Sequence, residues 1–426
     1  MLADGKARGL RGMDERDAPT SLFANLRFLA LLGGQGASYV GDAVASVALP
    51  LLILALTGSG FQMGLIGALE SAPLLLIGLP AGVWVDRLSR KKTMLTADLG
   101  RALLMGGIPV AALLHVAMMP VVMVVAMGVG VLTVFFGAAY TGAMPSVVPA
   151  IHLGRANAYF EAIESVAYVI GPPLAGVLTH AIGPAGTLGI DALTFVASAL
   201  AIKRLPDRRE DVGPPSAPRR FIAELREGMH AVFRDRALTF VTLLWGFNRF
   251  AFMALIPALT FFVIRTLGDH AMQVGWAVSV YAIGSFIGTL LSSRIPAHRI
   301  AIAAVGGQLV MGIAALFVAM SKTVVPLDAA SALLGVGEGV TLIGYLTLRV
   351  SRVPEERLGR VYAVTSTLTQ GMGAIGFLLI GGTLSLWGGR ATWLAMAAAT
   401  LVSVPALYAV YGVGDSRAKQ RESRKK

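Results

Sequence analysis

Ionisable side chains inside long apolar runs are the residues of this sequence best suited to chemistry. A charged group in lipid is costly, so such residues usually face a water-filled cavity or a partner of opposite charge. The main candidates are Asp42, Glu70, Glu161, Glu164, Arg249 and Glu338. Their setting predicts that they handle protons or attract charged molecules inside a membrane.

Glu161 and Glu164 lie one turn apart on a predicted helix, and Tyr168 follows on the same face. Two carboxylates this close in a poorly solvated cavity cannot both ionise cheaply, so one is expected to hold a proton. This pair and Asp42 are therefore the candidates for proton coupling. The alternative is that both glutamates are simply solvated in a water-filled vestibule.

Asp42 and Arg249 occupy matching positions when Pro50 is aligned with Pro257. Each lies near the middle of its apolar run, so we expect the two side chains to face each other across a central cavity, where protonation of Asp42 would weaken the contact. The alternative is a purely structural ion pair.

Three further residues are expected to line that cavity. Glu70 and Glu338 would attract a cationic substrate, and Tyr168 lies beside the glutamate pair. Asp191, in the sixth apolar run, is expected to be a packing group hydrogen-bonded to the backbone.

The elements that must position these residues are membrane-spanning helices. Hydrophobic residues make up 55% of the 426 residues and charged residues only 14%, against about 25% charged in a soluble domain. About twelve apolar runs reach the roughly 20 residues that a spanning helix needs. The composition excludes a soluble enzyme carrying a single anchor, and the absence of cysteine excludes a disulfide scaffold.

The basic residues predict the orientation of these helices. The net charge is +12, and with an N-terminus inside the cell the short connections place 12 Lys and Arg inside and 3 outside. This count assigns Arg101 to the connection between the second and third runs. We expect both termini in the cytoplasm, and the distribution argues against nucleic acid as a partner.

The chain divides into two halves of six helices each. Glycines recur at an offset of 205 residues, pairing Gly171 with Gly376 and Gly183 with Gly388. The predicted units are a cytoplasmic tail (1–25), a first bundle (26–202), a cytoplasmic linker (203–236), a second bundle (237–413) and a basic tail (414–426).

The connection after the second run carries a specific motif. Its key residues are Gly82, Asp86, Arg87, Arg90, Lys91 and Lys92. They resemble the loop signature of the major facilitator superfamily, in which the glycine allows close helix approach and the aspartate contacts the eleventh helix in the outward-facing state. Ser89 stands where glycine is usual, and Asp98 is a candidate substitute for the missing acid on the fourth helix. The alternative is a basic stop-transfer cluster.

A second motif lies in the fifth run. Gly171, Pro172 and Gly176 resemble part of the antiporter motif of the superfamily's export branches, with plain helix packing as the alternative. The first run, from Asn25 to Ser59, resembles the branch that contains macrolide-efflux proteins and enterobactin exporters.

These resemblances imply an all-α membrane protein with twelve transmembrane helices in two pseudo-symmetric six-helix bundles. The implied function is a proton-coupled antiporter that exports amphipathic organic compounds, such as a drug, antibiotic or siderophore, by alternating access. The alternative is a transporter of a lysophospholipid or metabolite with the same fold, including an importer.

The expected setting is the inner membrane of a bacterial cell, with membrane lipids and a small-molecule substrate as partners and a monomer as the working unit. The sequence has no nucleotide-binding loop, hydrolase motif or metal-ligand spacing. We therefore expect no enzyme activity, no metal and no cofactor, with the proton gradient as the energy source.

Overall fold

The computed structural model of the protein describes residues 22–85, 87–205, 218–353 and 355–423. Within these ranges the chain is helical and contains no strand. The first half consists of α1 (Leu26–Thr57), α2 (Gly60–Val85), α3 (Arg90–Leu113), α4 (Met118–Val147) and α5 (Leu153–Ile202).

The second half begins with a shorter amphipathic helix and continues with long apolar ones. Its elements are α6 (Pro218–Arg234), α7 (Arg236–Phe252), α8 (Leu255–Phe261), a π-helical turn (Phe262–Leu267), α9 (Ala271–Ser292), α10 (Ile300–Met320), α11 (Val324–Arg352) and α12 (Glu355–Ser423). The segment from α7 through the π-helical turn forms one crossing.

Two of the long helices cross the membrane twice. Among the described residues, ten helical segments are long and apolar enough to span a bilayer. Of these, α5 turns back at Gly183 and α12 at Gly388. The described part therefore has twelve crossings, which confirms the predicted fold of two six-helix bundles.

The two turns show that the sequence repeat is also a repeat of backbone structure. Gly183 has φ 73° and ψ 164°, and Gly388, which is 205 residues later, has φ 77° and ψ 177°. This conformation is open to glycine and strained for residues with a Cβ. The repeated glycines thus place matching hairpin turns in both halves.

The halves meet near one end of the molecule, here called the far end, where α1 connects to α2 and where both glycine turns lie. The opposite end, which carries the connection between α5 and α6, is called the linker end. At the far end a Cβ on Gly64 of α2 would lie 2.2 Å from the Phe377 carbonyl oxygen of α12, and one on Gly275 of α9 would lie 2.1 Å from the Pro172 carbonyl oxygen of α5. Because glycine has no side chain, the two backbones can approach this closely.

Helix α6 belongs structurally to the second half, although its residues lie within the predicted linker. Val232 is buried in a cluster with residues of α7, α11 and α12. Arg360 at the start of α12 donates to Glu227 of α6 at 2.6 Å. Asp235 caps α7 by accepting from two backbone amides at 2.8 and 3.0 Å. The chain is thereby fixed where it enters the second bundle.

Candidate functional site

A cavity of about 370 Å³ lies between the two halves. Its polar lining comes from the first half: Asp42, Ser46, Glu70, Arg101, Thr133, Tyr168 and Asp191. The second half contributes only apolar side chains to the described lining: Met253, Ile256, Pro257 and Phe377. The cavity therefore has one polar, charged wall and one apolar wall.

An ion pair on α3 forms the base of the polar wall. Arg101 binds Asp98 one turn earlier, and both side chains are buried, with 6% and 0% of their surface exposed. The Arg101 guanidinium carbon also lies 4.4 Å from the ring centroids of Phe136 on α4 and Phe195 on α5. Stacking on aromatic faces stabilises a cation held out of water. Arg101 is thus fixed from three helices while it lines the cavity.

Asp42 and Asp191 line the same cavity where α1 packs against α5. A Cβ on Gly41 would lie only 2.3 Å from the Oδ1 atom of Asp191, so the backbone next to Asp42 touches that carboxylate. The Thr194 hydroxyl donates to the same Oδ1 atom at 3.2 Å. Asp191 is 1% exposed and lines the cavity, as Asp42 does. The sequence predicted only a packing group at Asp191 and did not predict its position in the cavity lining.

Glu70 and Tyr168 both line the cavity where the sequence predicts them. Both side chains are exposed, and Tyr168 shows 38% of its surface. Glu70 extends from α2 and Tyr168 from the first arm of α5. They add an acid and a hydroxyl to the polar wall.

Glu161 lies two turns and Glu164 one turn before Tyr168 on α5, and neither is among the residues that line the cavity. Glu161 is exposed and Glu164 is half-buried. Their electrostatic neighbours include Tyr39 and Tyr140. The structure thus places the glutamate pair closer to the linker end than the cavity.

The structure does not bring Arg249 and Asp42 together. Among the described residues no ion pair joins them, and the Arg249 guanidinium contacts the sulfur of Met253. The alignment through the two prolines assumes one continuous helix in each half. In the second half α7 ends at Phe252 and α8 begins at Leu255, which changes the face on which Arg249 lies.

Glu338 belongs to a polar network inside the second bundle and does not line the cavity. The Asn248 amide donates to Glu338 Oε2 at 2.9 Å and to Gln308 Oε1 at 3.0 Å. Neighbouring charges include Arg249, and Tyr281 lies close to both. The prediction that Arg249 and Glu338 line the cavity does not hold in this structure, because Arg249 contacts Met253 and Glu338 accepts from Asn248 inside the second bundle.

The basic residues of the motif connection bind backbone carbonyls. Arg90 donates to the Gly142 carbonyl of α4 at 2.6 Å. Lys91 donates to the carbonyls of Lys203 and Leu205, just beyond α5, at 2.8 and 2.5 Å. A carbonyl on α4 therefore receives the arginine in place of the missing acid, whereas Asp98 is engaged with Arg101.

Other motif positions differ from the family pattern. Ser89, where glycine is usual, caps α3 by accepting from the Lys92 amide at 3.3 Å. Among the residues that the structure describes, a Cβ on Gly82 would meet nothing within 4 Å, so these residues do not make the close helix approach expected there. Arg87 and Lys92 are exposed. Asp86 lies outside the described residues.

The antiporter-like motif packs α5 against both halves. A Cβ on Gly171 would lie 2.5 Å from the Cβ of Ala43 on α1, and one on Gly176 would lie 2.6 Å from the Cα of Met272 on α9. The backbone carbonyl of Pro172 faces Gly275 of α9. These contacts match the packing interpretation of Gly171, Pro172 and Gly176.

Arg101 is the site residue that the sequence reasoning missed. Counting it with the basic connection hid the signal, which is an Asp98/Arg101 spacing of three residues inside an apolar run. Because α3 extends from Arg90 to Leu113, Arg101 lies at its middle. When Arg101 is left out of the count, the short connections carry 11 basic residues at the linker end and 3 at the far end.

Comparison with known proteins agrees with this geometry. The Major Facilitator Superfamily model matches residues 31–377. The multidrug efflux pump Tap of Mycobacterium tuberculosis is 29% identical over 373 residues, covering 84% of this chain and 87% of Tap. Macrolide efflux protein A of Streptococcus pyogenes is 26% identical over 271 residues, covering 62% of this chain and 66% of that protein.

Solved structures share the fold at low identity. A bacterial homolog of the human lysosomal transporter Spinster, in an inward-facing and occupied conformation, superposes with a TM-score of 0.73 at 15% identity, covering 90% of this chain and 96% of that one. The family model, the twelve crossings and the cavity between the bundles lead to one conclusion: the chain belongs to the Major Facilitator Superfamily of membrane transporters.

Proposed function

We propose that the protein is a secondary active exporter that exchanges protons for amphipathic organic compounds, with a preference for cations. The observation that carries this proposal is the composition of the cavity. Three acids, Asp42, Glu70 and Asp191, outnumber the single Arg101 on one wall, and the opposite wall is apolar. A molecule with a positive group and an apolar body matches both walls.

The size of the cavity supports the same class of substrate. Its volume of about 370 Å³ falls in the range of roughly 300–1,000 Å³ that is usual for small-molecule sites. The names of two relatives, a multidrug efflux pump and a macrolide efflux protein, support export. We therefore favour export of drug-like compounds over uptake of a metabolite.

The distribution of basic residues assigns the ends of the molecule in this proposal. The excess of Lys and Arg at the linker end puts that end, and with it both termini, in the cytoplasm. The halves contact each other at the far end, which then faces outward, so the structure represents a state that loads substrate from the cytoplasm. Alternating access would follow as the two bundles rock about the cavity.

The proton gradient is the proposed energy source, because the sequence has no nucleotide-binding loop. The protein works as a monomer in the bacterial inner membrane. Lipids surround its apolar surface. The acids on the cavity wall provide the groups that a proton can load.

Everted membrane vesicles test this function. Respiration acidifies their interior, and a pH dye reports each proton that leaves in exchange for a substrate. We would challenge them with tetraphenylphosphonium as an amphipathic cation, erythromycin as a macrolide and taurocholate as an anion. Dequenching by the first two but not by taurocholate is expected, and vesicles without the protein are the control.

A matched pair of variants refines the result. Glu70→Gln, which removes an acid from the cavity wall, should weaken the response to tetraphenylphosphonium at least as much as the double change Glu161→Gln/Glu164→Gln. A response to taurocholate alone would contradict the preference for cations. No response to any of the three compounds would contradict proton-coupled export of this class.

A further inference from the structure

Four ionisable residues of the first half lie close together at the polar wall, three in the cavity lining and one directly behind it. They are Asp42 on α1, Asp98 and Arg101 on α3, and Asp191 on the second arm of α5, and we call them the carboxyl cluster. With every group ionised, the cluster carries three negative charges and one positive charge. Two negative charges would then lack a counter-ion in a poorly solvated interior.

The single cation of the cluster is already engaged. Arg101 binds Asp98, and the two phenylalanine rings of α4 and α5 hold its guanidinium. In the described part of the chain the Asp98 Oδ2 and Arg101 Nε atoms are nevertheless buried with no partner within hydrogen-bond distance, although the Ser198 hydroxyl lies near the Asp98 carboxylate. A buried pair with an unused acceptor and an unused donor has capacity for a proton or a water molecule.

Asp42 and Asp191 have no ion-pair partner among the described residues, and the positive charge that acts on both is that of Arg101, which already binds Asp98. Gly41, next to Asp42, packs on the Asp191 carboxylate, the charge of Asp42 acts on Asp191, and both aspartates line the cavity, so protons can enter and leave. The other titratable or charged groups of the cavity lining are Glu70 on α2, Arg101 on α3 and Tyr168 on the first arm of α5. The described lining residues of α4 and of the second half contain no titratable group.

We propose that Asp42 and Asp191 share one proton, and that they release it when a cationic substrate enters the cavity. Two adjacent carboxylates with no cation of their own cannot both ionise cheaply, so the empty cavity favours one proton on the pair. An arriving cation supplies the missing positive charge. The proton then leaves for water, and the pair takes up another one from the outer side after the substrate has left.

In this scheme Arg101 is a positioning residue, because its positive charge stays paired with Asp98 and so sets the net charge of the carboxyl cluster. The inference rests on the proposed function and deepens it, since it moves proton coupling from Glu161 and Glu164 to a pair that includes Asp191. The glutamate pair does not line the cavity, so a substrate there has no direct contact with it.

Reconstituted full-length protein tests the assignment. A pH difference of one unit can drive about a tenfold accumulation of a substrate exchanged for one proton. Tetraphenylphosphonium accumulation would be compared in liposomes clamped at zero membrane potential, together with its exchange in the absence of a gradient. We expect Asp42→Asn and Asp191→Asn to lose the accumulation, whereas exchange without a gradient is weakened by the loss of a cavity acid but still measurable at a higher cation concentration.

The control is Glu161→Gln/Glu164→Gln, which should keep the accumulation. Retention of accumulation in Asp191→Asn, or its loss in the control alone, would overturn the assignment. If wild-type protein neither accumulates nor exchanges the cation, the proposed function fails before the assignment is reached. The two failures are therefore distinguishable.

A second measurement needs no variant and so does not depend on variant folding. Dicyclohexylcarbodiimide adds to protonated carboxyl groups in apolar surroundings, and peptide mass spectrometry locates the adduct on wild-type protein. We expect labelling at Asp42 or Asp191 that tetraphenylphosphonium reduces at least severalfold. Labelling confined to Glu161 or Glu164, or unaffected by the cation, would overturn the proposal.

Discussion

The two halves of the protein share a backbone framework but carry different chemistry. Gly183 and Gly388 adopt the same unusual conformation, and Gly171 packs on α1 as Gly376 packs on α7. In the first half three acids and one arginine lie on the cavity wall. In the second half the polar residues bond to one another inside the bundle, and the wall facing the cavity is apolar.

This difference separates two requirements of a transporter. Rocking of two bundles needs matching contacts between the halves. Gly176 of α5 packs on α9, and Gly381, 205 residues later in α12, packs on α2. Recognition of an amphipathic molecule needs unlike surfaces, which the unequal walls provide. The glycine repeat thus preserves helix contacts in both halves, whereas the charged residues differ between the halves.

The largest expected effect concerns the contact shared by both halves at the far end. The hydroxyl oxygens of Ser59 and Ser385 lie 3.2 Å apart, one in each half. The chain has no cysteine, so Ser59→Cys/Ser385→Cys introduces a single thiol pair. We expect oxidation to cross-link the halves and abolish transport, and reductant to restore it. Transport that continues at full rate in fully cross-linked protein would refute the requirement that the halves separate at the far end.

The next effect is on the stability of the first half. Arg101→Met leaves Asp98 buried without its cation, and breaking a buried ion pair costs about 3–5 kcal/mol. Arg249→Met is the matched change in the second half, where the arginine is half-buried and contacts Met253. We expect a much smaller loss there. Thermal unfolding in detergent measures both, and equal losses would contradict the difference between the halves.

A smaller effect is expected at the linker end of the first half. Lys91→Ala removes two hydrogen bonds to the carbonyls that follow α5, which should lower the free energy of unfolding by about 0.5–1.5 kcal/mol. Lys92→Ala, next to it and exposed, is the control and should change stability by less than about 0.5 kcal/mol. Equal effects of the two changes would show that the carbonyl contacts add nothing.

The smallest effect is expected in the second half. Glu338→Gln keeps an oxygen that can accept from Asn248 and removes only the charge, so stability should change by about 1 kcal/mol or less. Transport driven by a pH gradient should stay within about twofold of wild type. Loss of that transport would place coupling in both halves and end the proposed division.

Much of the fold could be predicted from the sequence because its signals are local. Apolar runs of spanning length predicted the twelve crossings, and the glycine repeat predicted two similar halves. Asp42 and Glu70 were predicted to line the cavity because acids within a span usually face one, and Tyr168 because it follows the glutamate pair on the same helix face. These predictions need only the position of a residue along its own helix.

The predictions that were wrong needed the relation between helices. The pairing of Asp42 with Arg249 relied on a continuous seventh helix, but the chain breaks between Phe252 and Leu255. Arg101 was assigned to a connection because the basic residues at the start of α3 concealed where that span begins. Asp191 packs against Gly41 of another helix, and no local sequence pattern reveals this contact.

The most direct test of the account is the number of protons released when tetraphenylphosphonium binds to purified protein in weakly buffered detergent solution. We predict close to one proton per bound cation for wild type and for Glu338→Gln, and close to none for Asp42→Asn and Asp191→Asn, each measured at a cation concentration that saturates its weakened binding. Full release from both aspartate variants, or its loss in Glu338→Gln alone, would contradict the claim that the first half carries the proton.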